Sequence, residues 1–239
     1  MGGGGQSDWG WVRYDEGRPL GRDFRDPAEV EAYDAFHRRF RDAEAENAVL
    51  LEEMGLTGSE TAGDFGCGTG RLVRALARRC REVWAIDMSE GMLEWGRKKA
   101  AAEGLGNIRF RQGTFLGYEH DGPPLDVLNC SLALHHLPDF WKGEALKRMA
   151  GMLKDGGRFW LTDVAWTGDG REGIDRWMRQ LEEQGGRELA EELSRHVAKE
   201  YSTAEWILLE LLERAGFRVE EARSGRYEAF RTYRCVKRM

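Results

Sequence analysis

Residues return at helical spacing from Val30 through Tyr33, Phe36 (or His37), Phe40 and Ala43, and then Ala48, Leu50, Leu51 and Met54 up to Gly55. This pattern predicts a helical N-terminal cap over residues 27–54. Asp26 stands where a cap belongs, Pro27 suits the first turn, and Glu29 follows three residues after Asp26. Beyond Gly55 the period alternates. A short strand is predicted at 61–65, then a helix over 69–80 with Leu72, Val73, Leu76 and Ala77 on one face. The apolar run 83–86 reads as a buried parallel strand, and Ser89 caps a helix running to Glu103. Ile108 and Phe110 mark a third strand and 125–130 a fourth. A helix over 140–153 leads through Gly156 and Gly157 into a fifth strand at 158–164.

Strands alternating with helices of ten to fifteen residues mean βαβ units, a parallel sheet and helices on both of its faces. The rhythm breaks over 171–200. Two polar helical stretches, 172–184 and 187–199, are split by Gly185-Gly186 and read as a lid inserted over the sheet. A helix over 202–215 follows, and strands at 217–222 and 227–236 are close enough in sequence to pair as a hairpin, making the last strand antiparallel. The expected fold class is therefore α/β: a doubly wound, seven-stranded, mostly parallel sheet in a single domain over 27–239, with no second hydrophobic core. Residues 1–26 carry glycines and scattered aromatics without a period, and read as a flexible tail partly laid on the surface by those aromatics.

Composition narrows the class. The chain has 239 residues, 41% hydrophobic and 33% charged, enough for a sizeable core and a solvated surface. With 36 Lys plus Arg against 42 Asp plus Glu, the net charge of −6 argues against binding nucleic acid through bulk electrostatics. The six basic residues Arg223, Arg226, Arg231, Arg234, Lys237 and Arg238 fall on the last strands, where basic side chains protect a sheet edge. Cys67, Cys80, Cys130 and Cys235 lack metal-ligand spacing; without a signal peptide they read as reduced thiols of a cytoplasmic protein. No apolar run approaches a bilayer span, and Gln6 breaks the myristoylation pattern that Gly2 begins. A monomer or homodimer is expected.

The sharpest local signal is Asp64-Phe65-Gly66-Cys67-Gly68-Thr69-Gly70, where the first strand gives way to a helix. Glycines there allow a tight turn and close approach of a nucleotide-like ligand to the backbone. The dinucleotide fingerprint needs its third glycine where this chain has Arg71, which weakens a reading of NAD or FAD. Asp87 ends the second strand, placed to accept hydrogen bonds from both hydroxyls of a ribose, with Ser89 rather than Asp87 as the helix cap. Loop and carboxylate together describe a site for an adenosyl ligand at the carboxyl ends of adjacent strands. The segment 131–139, with His135 and His136, forms the other wall of that crevice. Adjacent histidines rarely turn toward one ion, and no carboxylate or thiol stands at ligand spacing, so no metal is expected. One histidine packs and hydrogen-bonds locally and the other faces the cleft.

These pieces resemble the class I S-adenosylmethionine-dependent methyltransferases, a Rossmann-like family. AGDFGCGTGRL (62–72) looks like its glycine motif and VWAIDMSEGML (83–93) like its ribose-binding segment. CSLALHHLPD (130–139) and LKDGGRFWLTDV (153–164) match its fourth and fifth strands, and YSTAEWILLELLERAGFRV (201–219) its last helix and sixth strand. Within the family the likeness is nearest to uncharacterised bacterial YrrT-like proteins, which share the HHL segment, the fifth-strand Asp and a similar insertion. The resemblance implies S-adenosylmethionine as cofactor and S-adenosylhomocysteine as product. It implies that Asp64 and the loop of Gly66, Cys67, Gly68 and Gly70 hold the methionine part, Asp87 the ribose, and Met88 one adenine face. Thr114, followed by Phe115, stands where relatives carry an Asp that reads the adenine amino group. Backbone groups at Cys130 and Ser131 would face the methionine amine, and the N-terminal helix with Tyr33 and His37 would close over the cofactor.

Methyl transfer from a sulfonium is an in-line displacement in which the protein aligns the partners and excludes water. A protonated acceptor also needs a base, for which His136 is the first candidate and His135 the second, with His196 and Tyr201 behind them. A histidine that only packs or positions the substrate fits the same spacing. The leading expectation is transfer to a small-molecule acceptor. The alternatives are an enzyme acting on RNA, DNA or protein, and a non-catalytic binder of the cofactor or its product. Against nucleic acid stand the acidic charge and the lack of an Asn-Pro-Pro-Tyr segment.

Overall fold

The computed structural model describes residues 14–17, 26–39, 41–168, 170–225 and 227–239. Two helices, α1 (Pro27–His37) and α2 (Ala43–Met54), precede the sheet. Strands and helices then alternate as β1 (Thr61–Phe65), α3 (Arg71–Ala77), β2 (Glu82–Asp87), α4 (Glu90–Ala102), β3 (Ile108–Gln112), β4 (Leu125–Ser131), α5 (Asp139–Met152) and β5 (Leu153–Trp166). The chain finishes with α6 (Gly170–Val197), β6 (Thr203–Ala204), α7 (Glu205–Arg214), β7 (Phe217–Ser224) and β8 (Phe230–Lys237). The long strands lie in the order β3-β2-β1-β4-β5-β8-β7, and the two-residue β6 pairs with the end of β5 off this path. All pairs from β3 through β5 are parallel. β8 runs antiparallel to both β5 and β7, as the hairpin pattern predicts.

Alternation along each strand sorts the core onto two faces. On β2, Val83 and Ala85 join one cluster with Leu50, Met54, Leu72, Leu76 and Leu93, so α2, α3 and α4 cover that face. Trp84 and Ile86 point the other way, into a cluster with Leu146, Met149, Leu208 and Leu212 of α5 and α7. The order reverses between β1 and β4, which opens a crevice at their carboxyl ends.

Three expectations need correction. The helical stretch over 27–54 is two helices, because the Asp42 carboxylate accepts the Ala45 N–H and starts α2 afresh. Phe40, which the periodicity used as a bridge, lies outside the described residues. The helix expected from Thr69 starts at Arg71, because Gly70 holds a left-handed φ of 72°. The insertion also has an apolar cluster of its own, where only a polar cover was expected. Trp177, Leu181, Leu189, Ala190 and Leu193 of α6 pack with Phe36, Val164, Trp166, Tyr227 and Phe230. Each half of α6, broken at Gly186 (φ 81°, ψ 166°), offers only two or three of these residues, too few to stand out in its sequence. A fully buried leucine such as Leu181 stabilises the fold by about 1.5–3 kcal/mol, so the insertion is firmly seated. No helix among the described residues is long and apolar enough to cross a membrane.

Candidate functional site

The glycine loop joins β1 to α3 with three alternate residues in the left-handed region: Gly66 at φ 74°, Gly68 at 52° and Gly70 at 72°. Only glycine takes such angles without strain, which explains their spacing. The N–H groups of Gly66 and Cys67 both bond to the Ile86 carbonyl, tying the loop to β2. A side chain at Gly66 would meet the Ala133 methyl at 2.6 Å, so the loop lies directly against the segment after β4.

Asp87 closes β2 and is 9% exposed. Its carboxylate accepts the Gly68 N–H at 2.8 Å and the Ser89 N–H at 2.9 Å. Ser89 is the cap of α4, as expected, through the Met92 N–H at 3.2 Å. Asp87 is nevertheless not idle: it holds the loop, and each oxygen keeps a further lone pair for a ligand. Burial pushes its carboxyl up, while these N–H bonds pull it down. Asp64 faces Asn129 across the β1–β4 pair and accepts its amide N–H at 2.8 Å. Burial, opposed by the Asn129 bond and reinforced by Asp87, raises Asp64 to about 7. Asn129 Oδ1 is buried with no hydrogen-bond partner among the described residues.

Met88 is half exposed and lines a cleft of ≈ 550 Å³ with Gln112, Thr114 and Tyr118. Thr114 Oγ1 already accepts the Gly117 N–H at 3.0 Å. Phe115 is turned inward, stacked on Phe65 at 4.8 Å between ring centroids. Cys130 is fully buried, and Ser131 half-buried, at the end of β4. Leu132 follows with φ 51°, an angle unusual for a branched residue, and its N–H bonds to the Thr162 carbonyl at 2.7 Å. His135 and His136 follow in a short 3₁₀ turn. His135 is buried: its Nδ1 lies 2.5 Å from Asp163 Oδ1, and its Nε2 3.6 Å from Glu200 Oε2. Burial lowers the His135 pKa, but these two carboxylates outweigh it and the net shift is upward. The half-buried His136 ring lies 4.5 Å from that of His135.

The family profile described as "Methyltransferase domain" matches residues 63–157. An uncharacterised methyltransferase of Geobacillus sp. (strain WCH70) is 31% identical over 191 residues, covering 80% of this chain and 83% of that protein. This chain belongs to the class I S-adenosylmethionine-dependent methyltransferases. A ubiquinone biosynthesis O-methyltransferase of Acinetobacter baylyi is 30% identical over 153 residues, 58% of this chain and 63% of that protein. The fold agrees with the crystal structure of an S-adenosylmethionine-dependent methyltransferase from Clostridium acetobutylicum. Its TM-score is 0.67 at 14% identity, covering 89% of this chain and 98% of that one.

The residues of this methyltransferase fit the family's methyl donor. A side chain at Gly68 would point into the space beneath the Tyr33 ring, 3.8 Å away, so glycine keeps a cradle open between loop and α1. The orphaned Asn129 Oδ1 and the Asp64 carboxylate supply the acceptors that an ammonium group needs. α1 is docked on the loop through Asp34, which accepts the Thr69 hydroxyl at 2.9 Å and pairs with Arg71 at 3.3 Å. Arg71 therefore has a structural partner at the position where a dinucleotide fingerprint has glycine. Burial beside Asp87 and Asp34 raises the Tyr33 phenol to about 12, so it stays a neutral donor. Tyr14, from the segment expected as a tail, lies 6.3 Å from the Trp141 ring and 6.4 Å from that of Tyr201, with its hydroxyl donating to the His136 carbonyl. Glu16 accepts the Leu116 N–H at 3.0 Å.

Asn129, Asp34, Tyr14 and Glu200 did not emerge from sequence as site residues, and Asp163 emerged only as a family feature. Asn129 and Asp163 left a signal, a polar side chain inside a buried apolar strand. Glu200 left none in a polar stretch. Sequence spacing offered no carboxylate beside the histidines; in the fold, one ligand atom each of His135, His136 and Glu200 lie within 4.8 Å of one another. The side chain of His196 lies outside the described residues.

Proposed function

We propose that this methyltransferase acts on a small-molecule acceptor, bound where the His135–His136 turn meets the glycine loop. The observation that carries this is the close packing of Ala133, just before the histidines, against Gly66, with Tyr14 bonded to the His136 carbonyl and close to Trp141 and Tyr201. It supports setting the segment that carries the histidines beside the methionine end of the cradle. S-adenosylmethionine, when bound, supplies a methyl group already activated on a sulfonium sulfur. Asp87 and Met88 hold the adenosine, Thr114 stands at the adenine edge, and Asp64, Asn129 and the loop hold the amino-acid end. His136 is the acceptor-side group and the base where the acceptor carries a proton; His135, fixed by Asp163, positions it. α1 and α6 exclude water.

The basic residues of the last strands support a small acceptor. Arg223 pairs with Glu53, Arg231 with Glu205, Arg234 with Glu220 and Glu221, and Arg238 with Glu213, which leaves no basic stripe for a phosphate backbone among the described residues. Arg226 lies outside the described residues. The Acinetobacter relative, named for ubiquinone biosynthesis, is likewise named for a small acceptor. Four free, buried cysteines suit a cytoplasmic setting.

The test is incubation with methyl-labelled S-adenosylmethionine and cell extract, followed by separation by size. Label in the small-molecule fraction is expected. Label in protein or RNA overturns the acceptor class, and binding of S-adenosylhomocysteine without any transfer overturns catalysis.

A further inference from the structure

We propose that His135, His136 and Glu200 form a three-ligand site for a divalent metal ion of the zinc class, its open position turned toward the methyl acceptor. Two imidazoles and a carboxylate are a donor set that zinc favours, and three protein ligands leave the fourth position for a substrate. The ligand atoms lie within 4.8 Å of one another, and His135 Nε2 is already 3.6 Å from Glu200 Oε2. Donors around a tetrahedral zinc stand roughly 3.3 Å apart, so side-chain rotation closes the gap.

The surroundings of His135 carry the inference further. Its Nδ1 is engaged by Asp163, which also accepts the His135 backbone N–H at 3.1 Å and the Val164 N–H at 2.7 Å. That arrangement fixes the ring and turns Nε2 outward toward Glu200. A carboxylate behind a histidine whose other nitrogen faces a possible ion is the usual outer shell of a metal-bound imidazole. Glu200 is held in turn, because the next residue, Tyr201, donates its N–H to the His135 carbonyl at 2.8 Å. The charges suit a dication. Asp163 and Glu200 flank one imidazole, and the nearby Lys142 ammonium is taken up by Asp139 and the Tyr201 carbonyl.

The inference rests on the methyltransferase reading and changes the part of His136 from base to ligand. A hydroxyl or thiol entering the fourth position gives its proton to solvent more readily, because the cation stabilises the anion left behind. That anion forms the new bond to the methyl carbon as the carbon–sulfur bond of the sulfonium breaks, and the electron pair stays on sulfur. Since Glu200 follows α6, the ion would also clamp the insertion to the end of β4.

The test uses the full chain, stripped with a chelator and titrated with Co²⁺, with S-adenosylhomocysteine binding measured alongside by calorimetry. One Co²⁺ per chain with the intense visible absorption of a four-coordinate site is expected, displaced by Zn²⁺. His136→Ala and Glu200→Gln should each weaken uptake by at least about tenfold, and Asp163→Asn by about 10–100-fold. Circular dichroism checks that each variant is folded; His136 is only half-buried, and Glu200→Gln keeps the size of the side chain, so at least these two variants should fold. No uptake by the parent chain, or uptake unchanged in both His136→Ala and Glu200→Gln, overturns the metal site. Intact binding of S-adenosylhomocysteine beside failed uptake leaves the function standing. Failed binding of S-adenosylhomocysteine overturns the function whatever the metal does.

Discussion

Replacing Asp87 with alanine tests two roles of one carboxylate. In the structure it accepts the N–H groups of Gly68 and Ser89, at 2.8 and 2.9 Å. In the proposed complex it also accepts the ribose hydroxyls. A hydrogen bond to a charged group is worth about 1.5–3 kcal/mol, so two lost bonds set a gross cost of roughly 3–6 kcal/mol. Two effects reduce it. Water reaches the half-buried Gly68 N–H once the side chain is gone, and the desolvation that raises the Asp87 pKa is relieved. The net loss of stability should be about 2–3 kcal/mol, which for a domain of this size lowers Tm by roughly 5–10 °C. Binding of S-adenosylhomocysteine should weaken by about 10²–10⁴-fold if both ribose bonds disappear, at tenfold per 1.4 kcal/mol. Thermal unfolding of the free protein reads the first effect, and calorimetry well below Tm reads the second. Asp87→Asn, which keeps the shape and one acceptor, should fall between. A lower Tm with unchanged affinity refutes the ribose contact. Weaker binding with unchanged Tm refutes the claim that Asp87 anchors the loop.

Four further outcomes follow from the geometry. Gly66→Ala forces a left-handed alanine, at about 1–2 kcal/mol, and brings its methyl to 2.6 Å from that of Ala133, so urea unfolding should show a larger loss that Ala133→Gly in the same chain partly restores. Asp64 titrates near 7 when folded against an ordinary 3.8, so the native state holds a proton that the unfolded chain releases, and this residue's contribution to stability falls as pH rises from 4 to 7. Asp64→Asn should therefore gain on the parent between pH 5 and 8, by up to about 3 kcal/mol, and a constant difference in urea midpoints would refute the burial argument. Asp34→Ala removes partners of Thr69 and Arg71 at a half-exposed site, so stability should drop by under about 1 kcal/mol while hydrogen exchange over α1 quickens clearly. His136→Ala should cut turnover by about 10²–10⁴-fold and leave S-adenosylhomocysteine affinity within about twofold; full turnover would remove His136 from the chemistry.

The parts of the site that were legible in sequence are those where one short segment does a whole job. Gly66, Gly68 and Gly70 need left-handed angles at alternate positions, a requirement only glycine meets and therefore a local pattern. Asp87 ends a buried strand beside a separate capping serine, so its place at the loop too could be read from neighbours in the chain. The parallel sheet with helices on both faces followed from alternating periods and the rule for right-handed crossovers. Residues that act through a distant partner stayed hidden. Asn129 bonds Asp64 because β4 lies in register beside β1, and Asp163 reaches His135 only because Leu132 turns the chain back over β5. Glu200 arrives at the same histidine from the far end of α6, in a stretch where one glutamate looks like any other. Spacing along the chain could not reveal this carboxylate beside the histidines for that reason. Side chains supplied by the turn after β4 and by the insertion after β5 share no interval along the chain, yet they meet because β4 lies beside β5.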